Sequence, residues 1–183
     1  MQKARNIVKY KGFTLVELLV VISIIGFIMA VMTYAFNNAR YKARDTSRIA
    51  SLKQIQTAIN LYYDTNLTWP ARTADSCCDG WDQGYCNSNK SDGFIAGLVD
   101  GRFMTEVPGD PKFYGGCDGF SYYVYNAGSY GCDASKGRYY VLGIRNLETD
   151  SRPPTKYSGS GWSCPSRNWQ NEFDYVVGAF ESN

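Results

Sequence analysis

The chain has 183 residues, 44% of them hydrophobic, and a formal charge of +2, a balance that suits a folded domain with an appendage and excludes a disordered chain. The net charge hides an asymmetry, because Lys3, Arg5, Lys9 and Lys11 lie in the first twelve residues while residues 65–183 carry ten basic and fourteen acidic groups. That mildly acidic distal part disfavours broad binding to nucleic acid or anionic lipid. With no histidine in the chain, a serine or cysteine nucleophile has no imidazole base, so the sequence is read as non-catalytic.

After the basic leader, residues 1–12, comes an apolar run from Phe13 to Phe36 whose only charge is Glu17. As a helix it spans ~36 Å, enough to cross a bilayer. A cleaved secretory signal has a shorter apolar core and a small-residue cleavage site, whereas this run continues into a second helical pattern. Residues 37–64 lack Pro and Gly, and Ile49, Leu52, Ile55, Ile59 and Tyr62 recur at three- and four-residue steps. That spacing predicts an amphipathic helix lying on a folded domain, with Arg44, Arg48, Lys53, Gln54 and Asn60 on its polar face. An unbroken helix over 13–64 would be ~78 Å long. A carboxylate inside an apolar helix is costly in lipid, so Glu17 calls either for a hydrated place near the membrane surface or for a cationic partner.

Asn66 and Pro70 end the helix, and residues 65–183 read as a disulfide-stabilised region of loops and antiparallel sheet. The six cysteines, Cys77, Cys78, Cys86, Cys117, Cys132 and Cys164, all lie there. An even count in a loop-rich region indicates a disulfide framework and places this part outside the cytoplasm. Zinc is the competing reading, but there is no C-x-x-C pair. Three disulfides are expected, with Cys117 joined to Cys132 and Cys164 joined to Cys77, Cys78 or Cys86. Residues 94–103 suit a short helix, and Phe120–Asn126, Arg138–Arg145 and Phe173–Phe180 are β-prone runs. The expected fold is therefore α+β: a long N-terminal helix packed through its amphipathic half on one small antiparallel sheet. Asp79 and Asp82 are expected to serve turns in a Gly-rich loop. Asn66-Leu67-Thr68 and Asn89-Lys90-Ser91 are glycosylation-type triplets. No cofactor is expected. Residues 87–93 hold Ca²⁺-ligand types, which keeps Ca²⁺ as the alternative, although their spacing does not match an EF-hand loop.

The segment from Lys11 to Ile22, KGFTLVELLVVI, resembles the processing and assembly motif of type IV prepilins and type II secretion pseudopilins, and the basic leader is part of the match. The long helix, Trp69-Pro70, residues 98–111 and Tyr175–Gly178 also resemble major pseudopilins. The resemblance implies that a membrane aspartyl peptidase cuts after Gly12 and methylates Phe13. It implies that Glu17 recruits and registers subunits, with the new amine on Phe13 of a neighbour as its cation. The implied partners are further copies of the chain, the prepilin peptidase and methyltransferase, and the assembly machinery of the inner membrane. The implied location is that membrane for the precursor and then an extracytoplasmic filament. Many pilins carry a proline within the apolar helix, where the backbone unwinds in the fibre; here Gly26 is the only weak point. The alternative reading is a tip-like or competence-type pilin whose fifteen tyrosines and four tryptophans stack on bases or sugars rather than fill a core.

Overall fold

A computed structural model describes residues 12–73, 78–84, 93–112, 117, 119–149 and 161–182. They divide into two compact units, residues 1–40 and 41–183. Helix α1 (Leu15–Asn66) continues through Gly26 without a break. It is the one described helix long and apolar enough to cross a membrane, and its most apolar window is wholly unburied.

In the second unit, burial begins abruptly at Asp45, and Ile49, Leu52, Ile55, Ala58 and Ile59 form the buried stripe. The stripe meets a four-stranded antiparallel sheet made of β1 (Asp82–Gln83), β2 (Gly119–Tyr125), β3 (Tyr139–Arg145) and β6 (Tyr175–Phe180), in the order β1-β2-β3-β6. Successive side chains of a strand point to opposite faces. Phe120 and Tyr122 of β2, Tyr140, Leu142 and Ile144 of β3, and Tyr175 and Val177 of β6 therefore share one core with α1. The short helix α2 (Ala96–Asp100) closes that core through Leu98. The β-prone runs and the short helix thus form where the sequence places them.

The opposite face of the sheet is also covered, which the single-core expectation missed. Tyr125, Tyr139, Val141 and Val176 pack there against Trp81, Trp169 and Phe173. Residues 161–173 fold over this face as a hairpin, β4 (Ser163–Cys164) and β5 (Arg167–Asn168), followed by the 3₁₀ turn Trp169–Asn171. Regular structure between β3 and β6 is thus present from Ser163 onward, and residues 151–160 lie outside the described residues. Two glycines admit the covering rings. A Cβ at Gly143 would stand 2.5 Å from the Phe173 ring, and one at Gly178 would stand 2.5 Å from the Trp162 ring. Glycine inside a strand here marks close approach of another group. The result is three layers: helix, sheet and an aromatic cap.

Candidate functional site

The motif-bearing residues lie at the start of α1. Gly12, Phe13, Thr14 and Glu17 are exposed, and Phe13 keeps 80% of its surface open. Thr14 stands just before the first helical residue. The Thr14 backbone N–H donates to Glu17 Oε2 at 2.8 Å, the Thr14 hydroxyl donates to the same oxygen at 2.7 Å, and the Glu17 N–H donates back to Thr14 Oγ1 at 3.3 Å. This reciprocal pairing is a capping box, which satisfies amides that the first helical turn leaves without carbonyl partners. The sequence shows it as T-x-x-E, a signal that the reading of Glu17 as a charge in search of a partner overlooked. From Leu15 to Phe36 the large apolar side chains remain exposed, so this part of the helix has an apolar surface that no other described residue buries.

The second unit holds a charge cluster that corrects the expected polar face. Arg48 is not on the solvent side, since its side chain is 1% exposed. Its Nε and Nη2 donate to the Asp110 carboxylate at 2.8–3.0 Å, and its Nη1 donates to Asp45 at 2.9 Å and to Glu148 at 3.0 Å. Arg44 grips Glu148 through two further bonds of 2.6 and 2.5 Å. Asp45, itself fully buried, accepts from the backbone N–H groups of Glu148 and Thr149 at 3.0 and 2.8 Å. The cluster ties α1 to the turn at Asp110 and to the segment after β3. The sequence contained the signal: Arg48 lies four and seven residues before Leu52 and Ile55, on the apolar stripe. Lys53, Gln54 and Asn60, by contrast, are exposed as expected.

Electrostatics follow from this geometry. Hydrogen bonds from Arg44, opposed by burial and helped by bonds from Arg48, lower the Glu148 carboxyl to about 2. Burial alone would lower the Arg48 guanidinium, but Asp110, Asp45 and Glu148 outweigh it and raise it. Burial pushes the Tyr125 phenol up to about 12. The cap carries cation–π contacts as well, with the Arg167 guanidinium 4.8 Å from the Tyr130 ring and 5.1 Å from the Trp169 ring. Such contacts and the bidentate Arg167–Glu172 pair fix the cap in place.

The cysteine pairing differs from the expected one. Cys78 is bonded to Cys117 and Cys132 to Cys164, so neither Cys117–Cys132 nor a bridge from Cys164 to the Cys77–Cys86 region forms. The physical reason is the second sheet face. Cys132 follows the turn after β2 and meets the β4–β5 hairpin, where the Ser166 N–H also donates to the Tyr130 carbonyl at 3.0 Å. Cys117 instead precedes β2 and meets the segment leading to β1. Cys77, Cys86 and Asn89-Lys90-Ser91 lie outside the described residues, as do residues 87–92 of the calcium-like segment and residues 1–11 of the leader. Asp79 occupies a left-handed turn position, as expected, whereas Asp82 is buried in β1 and accepts from the N–H groups of Thr73 and Ile95. Among the described residues no group of three or more acidic or cysteine side chains stands ready to hold a metal ion.

Residues 8–33 match the family described as the prokaryotic N-terminal methylation motif. No curated protein and no solved structure matches the chain at a significant level.

Proposed function

We propose that this chain, whose methylation motif supports membership of the type IV pilin and pseudopilin family, is a structural subunit of an extracytoplasmic filament, either a type IV pilus or a type II secretion pseudopilus. The observation that carries the reading is the exposed apolar segment that follows Gly12, helical from Leu15 and bearing Glu17 as its single charge up to Phe36. In the precursor, lipid covers that surface. In the filament, the same segment of neighbouring subunits covers it. Cleavage after Gly12 by the prepilin peptidase removes the four leader cations and leaves a methylated amine on Phe13, the counter-charge for Glu17 of a neighbour. The inner-membrane assembly machinery supplies the subunits.

The binding-module reading draws less support from the aromatic residues. Trp69, Trp81, Trp169, Tyr122, Tyr139, Tyr140 and Tyr175 are buried in the two cores, so they fill space rather than offer faces to bases or sugars. Two measurements test the proposal together. Mass spectrometry of surface material should find Phe13 as a methylated N-terminus, and a larger side chain at Gly12 should block the cut. Electron microscopy of cells lacking the protein should show loss of filaments. Intact Met1 on surface-exposed protein would sink the reading.

A further inference from the structure

We propose that Asn66 is an N-linked glycan acceptor on the exported domain. This rests on the export reading above and goes beyond it. The chain contains two N-x-S/T triplets, Asn66-Leu67-Thr68 and Asn89-Lys90-Ser91, and such a triplet marks a surface acceptor in a secreted protein. They differ at the position two residues upstream, which is Asp64 for Asn66 and Asn87 for Asn89. The Asp64 carboxylate gives a transferase a charge to pair with beside the acceptor, so it is part of the proposed site.

The structure presents the first triplet at a corner. Residues 64–67 are all exposed, and Asn66 is the last residue of α1. Leu67 then takes a left-handed conformation, φ 55°, with its N–H donating to the Tyr63 carbonyl at 2.7 Å. That closes the helix in a way usually left to glycine, because a side chain is strained there. Leu67 is nonetheless 77% exposed, an apolar side chain left bare at a projecting corner. The Asn66 amide donates to the Tyr62 carbonyl at 2.9 Å, a bond at the exposed end of the helix that the nucleophilic nitrogen gives up on reacting. The Thr68 hydroxyl accepts from the Arg138 guanidinium, so its own proton is left to donate to an enzyme.

The co-reactant is a lipid-linked oligosaccharyl diphosphate. The Asn66 Nδ2 lone pair attacks the anomeric carbon, the bond from that carbon to the diphosphate oxygen breaks, and the electron pair leaves with the lipid diphosphate. The amide gives up one proton to the transferase base. A sugar at this corner would cover Leu67 on the exposed end of the helix.

The test is peptide mapping of the protein purified from its own cells. The tryptic peptide 54–72 should carry a hexose- or hexosamine-containing mass increment, absent in Asn66→Gln, Thr68→Ala and Asp64→Ala and retained in Thr68→Ser. The peptide containing Asn89 should be unmodified. A bare Asn66 in protein that begins at methylated Phe13 would overturn the glycan proposal while leaving the filament reading intact. Protein that retains Met1 and a bare Asn66 would overturn the export reading along with it.

Discussion

Replacing Arg48 with Met should unfold the distal unit far more readily while leaving the N-terminal segment untouched. The guanidinium is 1% exposed and faces three carboxylates, Asp45, Asp110 and Glu148, whose side chains are 0%, 5% and 6% exposed. Methionine fills most of the volume but leaves Asp45 and Asp110 without their cation, with only Arg44 and Lys112 near Glu148. Removing one member of a buried ion cluster costs about 3–5 kcal/mol, mostly the penalty for the charges left behind. With a urea slope of about 2 kcal/mol/M, the midpoint should fall by roughly 1.5–2.5 M. Tryptophan fluorescence is the right probe, because all four tryptophans, Trp69, Trp81, Trp162 and Trp169, lie in the second unit. Arg48→Lys keeps a charge but loses the fork that engages Asp110 through Nε and Nη2 together, so it should fall between the two. Lys53→Met, on the exposed face, is the control and should stay within about 0.5 kcal/mol of wild type. If Arg48→Met loses less than about 1 kcal/mol, the cluster is not what fastens the helix to the sheet.

The same cluster fixes an acid limit. The Glu148 carboxyl is held at about 2 in the folded chain, below its ordinary 4.5, so the unfolded state binds the proton more tightly. Its stabilisation is present above pH ~4.5 and is lost as pH falls toward 2. After solvent screening this amounts to on the order of 1–2 kcal/mol. Denaturation at pH 5 and pH 2.5 should show a smaller acid loss in Glu148→Gln than in wild type, and equal losses would contradict the assignment. For the disulfides, a non-reducing peptide map should recover Cys132 linked to Cys164 and Cys78 linked to Cys117. The double change Cys132→Ser, Cys164→Ser should cost about 3–4 kcal/mol on chain-entropy grounds, with the Trp169 cap loosening first. A map dominated by Cys117–Cys132 would refute the structure on this point.

How much of this was legible in the sequence depended on the range of each interaction. The stripe Ile49, Leu52, Ile55 and Ile59 and the three main strands are local patterns, and all of them form. The aromatic cap was hidden because its clues, Gly143 and Gly178, acquire meaning only when Phe173 and Trp162 lie over them. Arg48 was misplaced for a related reason. Charge alone argued for solvent, while its spacing argued for the core, and the partners that decide the matter lie 62 and 100 residues away. The disulfides followed the second sheet face, which composition did not reveal. The capping box, by contrast, was fully local and lay within the very motif that drew attention to Glu17.

That capping box changes how the role of Glu17 has to be tested. In the isolated subunit the carboxylate is not idle, since it accepts from the Thr14 N–H and hydroxyl and so orders the first turn of the helix. Glu17→Ala therefore removes two things at once, a cap that contributes about 1 kcal/mol and the charge proposed to meet the Phe13 amine of a neighbour. Glu17→Gln separates them, because glutamine also closes a capping box but carries no charge into an apolar core, where an unpaired amine costs several kcal/mol. If electrostatic register guides assembly, both variants should lose filament number and length in electron micrographs while leader cleavage stays normal by mass spectrometry. If Glu17 serves only to start the helix, Glu17→Gln should assemble like wild type and Glu17→Ala alone should fail. Normal filaments from Glu17→Gln would therefore remove the charge pairing from the proposed mechanism and leave the cap as the whole function of the residue.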